Sequence, residues 1–221
     1  MEFDPSALPA SHRYKLLVGA ILPRPIAVVS TIDAAGRTNI APFSFFNAAS
    51  VTPMALAFSP ITRADGTDKD TLRNALPVAE GGLGEFVVNL PGASWVRQLA
   101  AAAEGLPAGE SEFELTGLTP ADSRVIRPPR IAEAAVSYEC RTIQVVRLAP
   151  GTPLSGNIVI GEVVHVWVRD GLADEAMHID LEGLDTLGKL SGSGYCRPTD
   201  RFNLVRGRAA LALPDPVSSG T

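Results

Sequence analysis

Residues 22–71 constrain this chain more than any other stretch of it. They read LPRPIAVVSTIDAAGRTNIAPFSFFNAASVTPMALAFSP, followed after a polar loop by KDT. Two apolar, β-branched runs, Arg24 to Ile32 and Arg37 to Ser44, flank a turn at Asp33-Ala34-Ala35-Gly36. That is the pattern of a β-hairpin. The second run and its continuation carry small polar side chains where a sheet normally carries bulk: Asn39, Ser44, Asn47 and Ser50. Amides and hydroxyls are costly to bury without hydrogen-bond partners. A bound polar ligand would supply them; a solvated sheet edge would remove the need.

The rest of the chain extends the β reading. Met54 to Phe58 is a short apolar strand, Glu85 to Leu90 another, and Val136 to Leu148 a long one. In the long strand the apolar phase slips between Cys140 and Ile143, which predicts a bulge. Ile158 to Val168 alternates, with Ile158, Ile160, Val164, Val166 and Val168 on one side. Three short helices are expected: one capped by Ser11 and ending at Gly19, one opened by Thr67 or Asp68 and stopped near Pro77, and one capped by Ser94 with Trp95, Leu99 and Ala103 on a face. From Leu106 to Arg130 the chain reads as irregular, since Pro128-Pro129 forbids regular structure. Eighteen prolines and twenty glycines between β-rich runs favour a barrel or sandwich over a helical bundle. A closed barrel of about six strands, its ends plugged by helices, suits this pattern.

Several function classes are unsupported. A net charge of −5 with scattered arginines gives no basic stripe for nucleic acid. No apolar run approaches the roughly 20 residues that span a bilayer. The opening MEFDPSALPASHRYK lacks the basic-then-apolar order of a signal peptide, so a cytoplasmic protein is expected. Cys140 and Cys196 make neither a disulfide framework nor a CxxC site, and His12, His165 and His178 are too dispersed to suggest a metal. The glycine-rich nucleotide cradles and the GxSxG elbow are absent. No catalytic side chain and no metal ligand is assigned.

What remains suits a flat, anionic ligand. Arg63 follows the Met54–Phe58 strand, and Lys69-Asp70-Thr71 opens the next helix. Cations and a hydroxyl beside helix-terminal N–H groups attract phosphate; a simple helix cap with exposed cations is the alternative.

Taken in order, Arg24-Pro25-Ile26-Ala27, the run Asn39 to Asn47, Pro53, Lys69-Asp70-Thr71 and Glu85 to Asn89 resemble the flavin reductase-like family of FMN-binding proteins. Lys189-Leu190-Ser191-Gly192-Ser193-Gly194-Tyr195 is similar to that family's closing Arg-Leu-Gly-Gly-x-x-Tyr segment. The resemblance implies a mainly β fold with a few helices: a split, Greek-key-like closed β-barrel spanning residues 1–213, with a flexible tail at 214–221. It implies a homodimer holding FMN at its interface, reduction by NADH or NADPH, and electron transfer to free flavin, iron or a partner monooxygenase. An FMN carrier or store is the alternative, and a module working through its dimer surface alone a more distant one.

By position, the resemblance places Ala41, Pro42, Ser44, Phe45, Phe46 and Asn47 along the ring and ribityl chain. Ser59, Arg63, Lys69 and Thr71 fall around the phosphate, with Asp70 also among the cofactor-binding residues, and Gly194 and Tyr195 close over the flavin, from this subunit or its partner. Asn89 is expected to be a sheet or turn residue. Two departures stand in the closing segment: Lys189 for an arginine, which loses the bidentate fork, and Ser191 for a glycine, which matters only if the backbone there needs positive φ.

Overall fold

The computed structural model describes residues 1–107 and 110–212; the expected tail at 214–221 lies outside them. Helix α1 (Ala10–Ala20) precedes strands β1 (Ala27–Ile32), β2 (Thr38–Phe43), β3 (Phe46–Val51) and β4 (Met54–Phe58). Helix α2 (Asp70–Ala75) leads into β5 (Glu85–Asn89), α3 (Val96–Ala101) and α4 (Glu112–Thr116). Strands β6 (Val136–Arg147) and β7 (Asn157–Val168) and helix α5 (Leu181–Leu184) follow. The seven strands form one antiparallel sheet in the order β2-β1-β5-β6-β7-β4-β3.

The hairpin is as the sequence reads. Asp33 Oδ1 accepts the amides of Ala35 and Arg37, Gly36 takes φ +81°, and Ile32 pairs with Thr38. The bulge is present too: the register of β6 on β7 skips Ile143 and, on the partner strand, Val164. The inward phase of β7 differs from the alternation read in the sequence, because Val159 and Val163 carry the core instead.

The sheet is strongly curled. Phe43 on β2 and Phe58 on β4 are five strands apart, about 24 Å in a flat sheet, yet their rings lie 5.1 Å apart. Phe58 meets Phe86 of β5 at 5.2 Å. The expected closed barrel is nevertheless not what the hydrogen bonds give, for the ladder ends at β2 and β3. These two edges are consecutive in sequence, and the Ser44-Phe45 link turns β3 away to pair with β4 (Phe46 opposite Phe58). The roll is joined at this seam by chain, not by a ladder.

Inside the roll, Ala27, Val29, Phe43, Leu56, Phe58, Phe86, Val88 and Val159 pack with Leu72, Ala75 and Leu76 of α2, which plugs one end. On the opposite face of β1, Val28, with Ile26 just before the strand, meets Trp95, Leu99, Phe113 and Ile131. Burial on both faces makes β1 the centre of the fold. Gly161 is required by the ring of Phe86: an added Cβ would sit 2.8 Å from Phe86 Cε1 and 3.2 Å from Cys140 Cβ. Gly161→Val is therefore expected to destabilise the protein by about 3 kcal/mol through overpacking, read as a lowered urea midpoint with unchanged slope.

The helices correct the sequence reading in detail. Helix α1 starts at Ala10 after Pro9 and runs past Gly19, and Val18 is its one buried residue. Helix α2 begins at Asp70, without a side-chain cap, because the Asp68 carboxylate is taken by Arg147 (Nη2 to Oδ2, 2.8 Å). Ser94 lies in a 3-10 turn before α3 and does not cap it. Within the stretch read as irregular, Ser111 caps α4 and Gly117 ends it in the left-handed region. Arg24-Pro25 leaves the hairpin to pair with Gly188-Lys189, which pairs in turn with Tyr195-Cys196.

Candidate functional site

Both edges of the curled sheet end at Ser44-Phe45, and the candidate residues gather on either side of that seam. The Phe45 carbonyl accepts the amide of Ser59 (2.8 Å), and Ser44 Oγ accepts Nε of Arg24 (3.2 Å). A groove here is lined by Leu17, Ile21, Pro23–Pro25 and Ser44–Asn47. It adjoins an apolar cleft of about 380 Å³ walled by Phe46, Leu56, Leu90, Tyr138 and Leu187, with Pro198 at its rim.

On the other side of β2, a cavity of about 120 Å³ brings Ala41 and Pro42 together with Arg63, Lys69, Asp70 and Thr71. Residues 102–106 and Glu112 complete its wall. Arg63 is not a free guanidinium: it donates to the Asp68 carbonyl (2.5 Å) and to Asp70 Oδ2 (2.9 Å). Asp70 also accepts from Arg73, so its carboxylate holds the arginines and has little to offer an anion. Lys69 is different. Its ammonium takes part in no ion pair among the described residues and lies 5.8 Å from the centre of the Phe43 ring. Burial, and secondly the neighbouring Arg63 charge, hold its pKa below the usual lysine value.

Thr71 is buried, and its hydroxyl accepts from Asn39 Nδ2 (2.9 Å). Asn39 and Asn74 also donate to Thr31 Oγ1 (3.4 and 3.0 Å). The polar residues that seemed out of place in the sequence thus divide. Asn39 and Ser44 have internal partners, whereas Asn47 and Ser50 lie exposed on the edge strand β3.

Ten of the thirteen expected residues line these two hollows; Ser59, Gly194 and Tyr195 do not. Ser59 contributes its backbone amide to the seam. Tyr195 packs against the core outside β1, with the Lys189 ammonium 4.6 Å from its ring centre. That ammonium donates to the carbonyls of Leu190 (3.4 Å), Gly192 and Gly194 (3.1 Å), so lysine holds the closing loop without a fork. Ser191 is not in the positive-φ region, and a glycine is not needed there. Asn89 is, as expected, a sheet residue, fully buried among backbone and hydroxyl partners.

Two residues at the site lie beyond sequence reasoning: Arg24, which the sequence shows only as part of an Arg-Pro pair, and Glu112. The Glu112 carboxylate accepts the Ile40 amide (3.0 Å) inside the cavity wall. Burial is the main cause of its raised pKa, with Asp70 adding to it. Its only sequence signal was the Ser111 cap. Cys140 is sealed in the core, and burial pushes its thiol well above the usual range, which makes it unreactive.

Among the described residues no group of three or more His, Cys, Asp or Glu is arranged to hold a metal. None of their helices is long and apolar enough to cross a membrane. The arrangement offers a cation unpaired among the described residues for an anionic group and, across the seam, an apolar groove for a flat one.

Comparison with known proteins identifies the family and the fold. An uncharacterised protein of Halalkalibacterium halodurans is 37% identical over 207 residues, covering 93% of this chain and 96% of that protein. The crystal structure of nitrilotriacetate monooxygenase component B from Bacillus cereus superposes with a TM-score of 0.85 at 35% identity, covering 92% of this chain and 98% of that one. Pseudomonas fluorescens 2-nitrobenzoate 2-nitroreductase gives 0.81 at 27%, covering 98% and 100%. The flavin reductase like domain model matches residues 18–187, which hold the whole seven-stranded sheet and most of the residues lining the hollows, and the chain belongs to that family.

Proposed function

We propose that the protein is an FMN-binding oxidoreductase, a flavin reductase that uses NADH or NADPH. The observation that carries this reading is Lys69: a half-buried ammonium without a carboxylate partner among the described residues, in a small cavity beside Thr71 and across the seam from an apolar groove. A phosphate dianion would relieve both the burial penalty and the repulsion from Arg63. The residues therefore fit the mononucleotide end, and the Ser44–Asn47 groove fits a ring that needs apolar walls and a few main-chain donors.

FMN held there would supply the chemistry for hydride acceptance and onward electron transfer. The chain's own residues have the tasks of holding and excluding. Lys69 binds the phosphate, and Asp70 keeps Arg63 positioned as a second charge. Ala41, Pro42 and Ser44–Asn47 seat the ribityl chain and ring against the seam. No side-chain acid or base is assigned, in keeping with the unreactive Cys140.

The reading includes a homodimer. Tyr14, Leu16 and Leu17 of α1 and Ile21 just after it are each about half exposed, and Val51 of β3 is 90% exposed. Leu17 and Ile21 also line the groove, so a second copy covering this face would close over the ring. The similarity to a monooxygenase component supports a partner oxygenase as electron acceptor.

The test is an anaerobic absorbance titration of the FMN-loaded protein with NADH and then NADPH. Rapid bleaching of the bound flavin is expected. A yellow protein that neither donor bleaches would make it a carrier, and a colourless protein that refuses FMN would end the reading.

A further inference from the structure

Arg24 is a charge that nothing in the described structure neutralises. It is 5% exposed, yet its guanidinium donates only to neutral acceptors. Nη1 bonds the carbonyls of Val18 (2.7 Å) and Ile21 (3.0 Å), Nη2 that of Leu190 (3.0 Å), and Nε the Ser44 hydroxyl (3.2 Å). Lys189, directly opposite Arg24 in the small sheet, likewise donates only to carbonyls. Neither cation takes part in an ion pair among the described residues. Burying one cation without a counter-ion is costly, and two side by side more so.

A clamp for a carboxylate or phosphate would keep its fork free. Arg24 has spent four of its five N–H groups, so it acts on the groove through its charge and not through its hydrogen bonds. It lines both the groove and the adjoining cleft, where low polarisability leaves a fixed charge poorly screened.

We propose that Arg24, with Lys189 behind it, is a built-in positive charge that biases the ring seated on Ser44–Asn47 toward its reduced, electron-rich form. This rests on the flavin reading above. Hydride transfer moves two electrons and one proton from a reduced nicotinamide to the ring. The nicotinamide leaves oxidised, and the ring gains one unit of negative charge, which a nearby fixed cation favours. Because the cradle is made of backbone carbonyls, the guanidinium need not move between the two forms.

The test uses the full chain loaded with FMN. Oxidised FMN affinity is read by fluorescence quenching, and the midpoint potential anaerobically against a reference dye. Arg24→Gln is expected to lower the reduced-to-oxidised affinity ratio about tenfold, equivalent to a potential about 30 mV lower for a two-electron couple. Lys189→Gln should shift it the same way by about threefold, and Arg24→Lys should keep the wild-type value. If Arg24→Gln does not fold, Lys189→Gln decides. A folded neutral variant with the wild-type potential overturns the proposal, as does an equal shift in Arg24→Lys and Arg24→Gln, which would make the cradle and not the charge responsible. Wild-type protein that binds no FMN would overturn the flavin reading and this proposal together. Binding with unmoved potentials would overturn this proposal alone.

Discussion

Lys69→Ala is expected to weaken FMN binding by about 10- to 100-fold, the loss of one charge-assisted bond of roughly 1.5–3 kcal/mol. Riboflavin, which lacks the phosphate, should bind the variant and the wild type alike. An equal loss for both ligands would place Lys69 against the ring, and no loss for FMN would remove it from the site. Arg63→Ala should cost less, because its Nη groups are already engaged by Asp68 and Asp70. The pH dependence separates the two cations. Burial and Arg63 hold the Lys69 pKa below the usual lysine range, and phosphate prefers the ammonium form. FMN affinity should therefore fall as pH rises through that lowered pKa. Removing Arg63 should move this alkaline limb upward, and removing Lys69 should abolish it.

The site was legible where chemistry sits in short runs. Lys69-Asp70-Thr71 stood out as a candidate phosphate position, and the cavity gathers those three residues with Ala41, Pro42 and Arg63. Their division of labour was not legible. That Asp70 holds Arg63 and Arg73 while Lys69 stays unpaired depends on side-chain geometry that no spacing encodes. Arg24 could not be read as an uncompensated charge, since its acceptors are carbonyls as far away as Leu190. Tyr195 was placed over the flavin by resemblance, whereas within one chain it faces the outer core.

The fold was legible where period and turn chemistry agree. The Asp33–Gly36 turn and the slip near Ile143 were both in the pattern and are both in the sheet. Strand β3 was not, because FNAASV is almost wholly exposed and an edge strand without a buried face has no alternation to read. Helix α4 is too short for helical periodicity. The open seam follows from the same blind spot: the barrel expected from long bulged strands needs β2 and β3 to pair, and only the structure shows the chain turning at Ser44-Phe45.

Asn89→Ala is expected to be the most destabilising single change at a polar position, by about 3–4 kcal/mol. Asn89 is fully buried, with Nδ2 donating to the Val28 carbonyl (3.0 Å) and Ser30 Oγ (3.1 Å). Its Oδ1 accepts from the Ile131 amide (2.9 Å) and Ser137 Oγ (2.8 Å). These bonds tie β1, β5 and β6 to the segment after Pro128-Pro129, whose prolines have no N–H to join a ladder. Beyond the prolines, Arg130-Ile131 pairs with Pro120-Ala121, and around them side chains add further ties, with Ser30 Oγ donating to the Pro129 carbonyl and Glu139 accepting the amides of Arg124 and Val125. Alanine would leave the Ile131 amide buried and unpaired, and a half-satisfied polar network is worse than none. Urea unfolding should show the loss, and hydrogen exchange should show faster opening at 123–131 than in β7. FMN affinity of the folded variant should match the wild type, because Asn89 faces the outer core and neither hollow. A loss below about 1 kcal/mol would mean that the segment has other anchors of comparable strength.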